Sequence, residues 1–172
     1  MTLSAGLLPQ FDQVIAGTRQ HLESIPDDEL GWKPHEKSYS LGELGSHLAN
    51  IPNWMMATIG QDELDVAPPA AADDRPAVQQ EYESSAAMVA ALDEAAGQAR
   101  AVLESASDET LMGDWTLKAG GETKFTLPKV AVVRLFIMDH MIHHRGQLTV
   151  YLRMLDVPVK QTFGPTADFP DM

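Results

Sequence analysis

The 172-residue sequence contains no cysteine. This absence excludes disulfide bonds, a cysteine nucleophile and every metal site built from thiolates. Any metal ion that the chain binds must therefore be held by histidine, aspartate, glutamate or water. The composition is otherwise ordinary for a globular protein, with 44% hydrophobic and 22% charged residues. The length predicts a single domain over residues 1–172.

Basic residues and long apolar runs are also scarce. Twelve Lys and Arg stand against 25 Asp and Glu, which gives a formal net charge of −13. Such a chain repels nucleic-acid phosphates and anionic membrane surfaces, so neither is expected as a partner. No apolar run approaches the ~18 residues of a membrane span. Residues 1–9 also lack the basic segment and apolar run of a signal peptide, and we therefore expect a cytoplasmic protein.

Four segments have apolar residues at spacings of three and four, the pattern of helices that bury one face. These segments are residues 3–25, 41–60, 76–106 and 128–155. The motif from Ser40 to Glu43 is a capping box, which predicts that the second helix begins at Leu41. Pro52 is expected to kink that helix.

The remaining segments are predicted as connections, with one exception. Residues 61–75 are acidic and then rich in Pro and Ala, and they are expected to link two helices. Residues 111–127 instead predict a small β-hairpin around Gly120 and Gly121. The predicted fold is therefore an all-α four-helix bundle with long connections and a small β-hairpin before the last helix.

Three of the six histidines offer metal-ligand spacing. His140 and His144 are one helical turn and about 40° apart, so their side chains point the same way and can chelate one ion. His47 shares a face of the second helix with apolar residues, and it is also predicted to point inward. Three imidazoles with one position left for water form a catalytic zinc-type ligand set. Imidazole also suits nickel, iron and copper.

Each of these polar residues also has an interpretation that involves no metal ion. His47 alone is explained as a hydrogen-bonded core histidine, and His pairs at this spacing also arise by chance. His143 lies on the other side of His140, and it is an alternative ligand to His144 or a partner of a carboxylate. Gln147 either orients a ligand or is satisfied by a neighbouring helix. His21 and His35 are expected at the surface, and no residue is assigned a catalytic role. These residues are His21, His35, His47, His140, His143, His144 and Gln147.

Two motifs resemble the DinB/YfiT-like superfamily of metalloenzymes. One is residues 41–50, preceded by Trp32-Lys33-Pro34, and the other is residues 139–148, with its H-x-x-H-H-R-G-Q run, followed by Tyr151-Leu152-Arg153. The resemblance covers nearly the whole chain in order. It implies a four-helix bundle, frequent dimers and a metal site, commonly of Ni or Zn. The ligand positions that match here are His47, His140 and His144.

The resemblance also implies an activity, because relatives include thiol-dependent S-transferases that use low-molecular-weight thiols. The leading hypothesis is therefore a metal-dependent transferase that acts on a small-molecule electrophile. The alternatives are a metal-dependent hydrolase and a non-catalytic metal-binding bundle of the stress response. A homodimer is also expected, since the last helix carries apolar residues away from the chelating face. Those residues are Val132, Leu135 and Val150.

Overall fold

The structure is a computed structural model that describes residues 2–66 and 80–171. The fold is mostly helical, as predicted, and it carries a small sheet. Its helices are α1 (Leu3–Leu22), α2 (Leu41–Asn50), α3 (Trp54–Gly60), α4 (Ser85–Ser105), α5 (Asp108–Met112), α6 (Lys129–Val132) and α7 (Asp139–Met154). Its strands are β1 (Glu63–Asp65), β2 (Asp114–Ala119) and β3 (Glu122–Pro128).

The core is formed where the long helices pack against one another. Helix α1 packs against α4 and α7, and α2 also packs against α4 and α7. On α1, α2 and α4 the buried side chains at these contacts come from the predicted apolar faces, whereas on α7 Leu148 and Leu152 lie beside the face that was expected to point inward. The buried side chains include Leu7, Phe11, Val14, Leu44, Leu48, Leu92, Leu103, Leu148 and Leu152. None of the helices in the described residues is long and apolar enough to cross a membrane.

The second predicted helix begins and bends where the sequence indicated. The Ser40 hydroxyl accepts the Glu43 N–H at 3.0 Å, and the Glu43 carboxylate accepts the Ser40 N–H at 2.6 Å. Pro52 lies in a 3₁₀ turn, Ile51–Asn53, which separates α2 from α3. The turn follows from the ring of Pro52, which removes a backbone donor from the helix. Helix α2 is therefore a short, firmly capped element.

The predicted hairpin is present, but the sheet has a third strand. Strands β2 and β3 pair antiparallel across Gly120 and Gly121, whose φ angles are 59° and 81°. Strand β1 then pairs parallel with β2, so the sheet is mixed and ordered β1-β2-β3. Residues 61–75 were expected to form only a connection in an otherwise all-α fold. That expectation is wrong, because part of this segment forms strand β1. Its three residues are too few to show an alternating pattern.

The third predicted helix starts later than expected. Helix α4 begins at Ser85, where the Ser84 side chain caps it by accepting the Ala87 N–H. Residues 80–84 are not helical, because Tyr82 and its neighbours bond to α2 instead: the Tyr82 N–H donates to the Ser46 hydroxyl at 3.0 Å. The predicted start of this helix, residues 76–79, lies outside the described residues.

The last predicted helix contains a π-helical segment. Residues 129–154 are helical throughout, but Val133–Met138 is a π-helix between α6 and α7. Its wider turn ends where the Asp139 N–H donates to the Arg134 carbonyl, five residues back. Such segments are rare and often occur at functional sites. This one directly precedes the residues with metal-ligand spacing.

Candidate metal centre

Three histidine side chains meet where α2 packs against α7. His47 Nε2 lies 3.2 Å from His140 Nε2, which lies 2.9 Å from His144 Nε2. One ligand atom from each ring lies within 4.8 Å of the others. The structure therefore brings together the three residues that the sequence singled out. We call them the histidine cluster.

The hydrogen bonds at the far side of two rings decide where their lone pairs point. His140 Nδ1 donates to the Phe136 carbonyl at 3.3 Å, and His144 Nδ1 donates to the Gln147 amide oxygen at 2.8 Å. A neutral imidazole carries one N–H, so both Nε2 atoms then present lone pairs. These lone pairs face each other at 2.9 Å. Such an arrangement is repulsive unless a cation or proton lies between them.

Partial burial keeps the cluster uncharged at neutral pH. Burial, together with the neighbouring imidazoles of His144 and His140, lowers the pKa of His47 to about 4. Burial also lowers the pKa of His144 to about 4, although its bond to Gln147 opposes the shift. The pKa of His140 is lowered by burial as well. Neutral imidazole is the form that binds a metal ion.

The spacing of the nitrogens fits a transition metal. With metal–nitrogen bonds of about 2.0–2.1 Å, ligand nitrogens lie about 3.3 Å apart in a tetrahedron and about 2.9 Å apart at adjacent octahedral positions. The two Nε2 separations, 3.2 and 2.9 Å, match those values. Within residues 2–66 and 80–171, this is the one group of three or more His, Asp or Glu side chains with such geometry.

His143 lies outside the cluster but is linked to it. Its side chain is exposed, and its ring packs edge-on against His144 with 4.9 Å between centroids. The Gln147 amide joins the two rings: its oxygen accepts from His144, and its nitrogen donates to His143 Nε2 at 3.2 Å. Gln147 was expected to face inward, but it is exposed. It holds the His144 ring from the solvent side, as residues that bond to the far nitrogen of a ligand histidine do in known metal sites.

Glu43 has the role that the sequence predicted, whereas His21 does not lie where it was expected. Glu43 completes the capping box of α2 and pairs with Lys33 at 3.1 Å. His21 was expected at the surface but is fully buried. Its Nδ1 bonds to the Gly17 carbonyl at 2.7 Å, and the backbone near Lys160 lies over it. The C-terminal segment that covers His21 has no helical or strand pattern, so its position was not predictable from the sequence.

Helical spacing predicted Phe136 on the face of His140 and His144, whereas Tyr39 and Phe125 were not predicted near the cluster. The Tyr39 ring lies 6.0 Å from the His47 ring, centroid to centroid. Phe136 is 37% exposed, and Phe125 of β3 stacks on it at 4.6 Å. Phe136 precedes His140 by four residues, which is a usable signal. No pattern in the sequence indicates that the hairpin places Phe125 there.

Comparisons with known proteins place this arrangement in a family. The model of the DinB superfamily matches residues 10–148. The crystal structure of a DinB-like protein from Bacillus cereus ATCC 10987 aligns with a TM-score of 0.71 and 17% identity, over 94% of this chain and 98% of that one. A DinB-like protein from Bacillus subtilis aligns with a TM-score of 0.67 and 22% identity, over 97% and 99%. No curated protein sequence matches the chain.

The lowered pKa values predict how the metal-free protein responds to acid. The unfolded chain takes up protons on its histidines near pH 6.5, whereas folded His47 and His144 resist protonation to about pH 4. The free energy of unfolding should therefore fall as pH drops from 6.5 to 4. Urea unfolding of metal-free protein across this range measures the slope.

Substitution of the cluster should reduce that slope. H47Q and H144Q each remove one such group, whereas H35Q replaces an exposed ring and serves as the control. Equal slopes in the parent, H47Q and H144Q would contradict the assignment of the acid sensitivity to the cluster.

Proposed function

We propose that this chain, which belongs to the DinB superfamily, is a metal-dependent enzyme in which His47, His140 and His144 hold one divalent transition metal ion, nickel or zinc. The observation that carries the proposal is the convergence of three imidazole nitrogens, two of them with lone pairs directed at each other. We further propose that residues 1–172 form one four-helix-bundle domain of a cytoplasmic protein.

The reaction that we propose is the transfer of a low-molecular-weight thiol to a small electrophile. A metal ion held by His47, His140 and His144 would supply the positive charge that lowers the pKa of a bound thiol. The chain has no cysteine, so the thiol must come from a cosubstrate. The three ligands are half-buried, so part of each ring is exposed to solvent, where a small molecule could approach.

The residues around the cluster support this chemistry by fixing the ligands. The Phe136 carbonyl and the Gln147 amide each hold one ring nitrogen, so Nε2 of His140 and of His144 is available. Oriented ligands lose less conformational freedom on binding a metal. Tyr151 does not contribute a donor to the site, since its hydroxyl donates to the Tyr39 carbonyl at 3.2 Å.

Single substitutions test the ligand set. H47A, H140A and H144A should each lower metal affinity at least tenfold, because loss of even an outer-shell partner typically costs about 10–100-fold. H143A is the matched control and should lose much less, since His143 lies outside the cluster. Elemental analysis and metal titration of protein purified without a metal-affinity tag measure the effect, with circular dichroism to verify folding. Full metal content in folded H47A, or equal loss in H143A and H144A, would show that the assignment is wrong.

A conjugation assay tests the reaction. Metal-loaded protein is mixed with a panel of low-molecular-weight thiols and 1-chloro-2,4-dinitrobenzene, and thioether formation is followed by absorbance. We expect a rate above the uncatalysed reaction that is lost in H47A and after chelation of the metal. A rate equal to the uncatalysed one with every thiol would contradict the transferase. Metal-dependent formation of the hydroxylated product instead of the thioether would favour the hydrolase.

We also propose that the chain forms a homodimer through the last helix. Leu135, Val150 and Met154 are 52%, 56% and 56% exposed, although all three are apolar. Val132, which was expected on the same surface, is buried in the chain's own core. Sedimentation at micromolar concentration and neutral pH should show a dimer, and V150E should shift it toward monomer by burying a charge in the contact. A monomeric parent protein would refute the dimer.

A further inference from the structure

Phe125 and Phe136 form a stacked aromatic pair, which we call the phenyl platform. Their ring centroids lie 4.6 Å apart, and the ring planes differ by 15°. Phe136 is 37% exposed, whereas Phe125 is partly buried and contacts Trp115 with centroids 6.2 Å apart. Trp115 is fully buried and donates its indole N–H to the Ala57 carbonyl at 3.2 Å. The exposed ring therefore rests on a rigid aromatic support.

The phenyl platform adjoins the histidine cluster. The Phe136 carbonyl accepts the N–H of His140, so the same residue fixes a proposed ligand and presents the exposed ring. Phe136 precedes His140 by four residues, in the π-helix that leads directly into α7, so the two side chains emerge from consecutive turns. Phe136 also belongs to the π-helix Val133–Met138, a type of segment that often marks functional sites.

We propose that the phenyl platform binds the flat apolar part of the small electrophile while its reacting end lies at the histidine cluster. This inference rests on the proposed function and adds a substrate class to it: aromatic or otherwise planar apolar electrophiles. An exposed phenyl ring loses unfavourable contact with water when a flat group covers it. Aromatic pairs gain further from offset or edge geometry. A ring held in advance by Phe125 loses little conformational freedom on binding.

A pair of small metal ligands tests the inference without measuring catalysis. Imidazole and 4-phenylimidazole present the same nitrogen to a metal, but only the second adds a flat apolar group. We expect the nickel-loaded parent protein to bind 4-phenylimidazole about three- to tenfold more tightly than imidazole. In F136A that preference should fall toward onefold, whereas the affinities for imidazole and for nickel should change much less, because the backbone carbonyl that holds His140 remains. Calorimetric titration measures all three affinities.

Two further variants separate the platform from general effects. F125A should reduce the preference partly, because Phe136 then loses the ring that holds it. F163A removes an aromatic ring that is 64% exposed and packs over Arg145, so it should leave the preference unchanged. A preference retained in nickel-loaded F136A, or lost equally in F163A, would overturn the platform while leaving the metal site in place. Failure of the parent protein to bind nickel or zinc would overturn the proposed function itself.

Discussion

The packing of α2 against α7 is the contact on which the candidate site depends. It places the His47 imidazole of α2 against two imidazoles of α7, with His47 Nε2 3.2 Å from His140 Nε2. Within α7, Nε2 of His140 and of His144 lie 2.9 Å apart, and facing lone pairs at that distance repel unless a cation or proton lies between them. The capping box at Ser40 and the buried leucines of α2 hold the backbone that carries His47. A bound cation would convert the same arrangement from repulsive to stabilising.

The helical part of this arrangement was readable from the sequence. Period 3.6 in apolar residues locates the helices, and the capping box locates the start of α2, because both signals come from residues adjacent in the chain. The spacing of His140 and His144 gives their common direction for the same reason. Placing His47 beside them required one additional assumption, that the histidine-bearing faces of the two helices pack against each other. The structure brings the three side chains together, as that assumption requires.

Features that depend on distant segments were not readable. Strand β1 exists because Thr116 and Lys118 of β2 bond to the backbone at Asp62 and Val66, a pairing across about fifty residues. His21 is buried because the C-terminal segment covers α1, and that segment has no periodic pattern. The chelating face was expected to point wholly inward, yet Gln147 and Phe136 on it are exposed. The cluster thus lies at the edge of the core, which periodicity alone does not distinguish from its centre.

Both ends of the chain segment between Val66 and Gln80 are tied to the fold. The Val66 N–H donates to the Lys118 carbonyl at 2.9 Å, and the Asn50 side-chain amide donates to the Gln80 carbonyl at 2.9 Å. Asn50 lies one turn beyond His47 on the same short helix. Natural variation in the number of residues between these two ties would therefore leave the orientation of His47 intact.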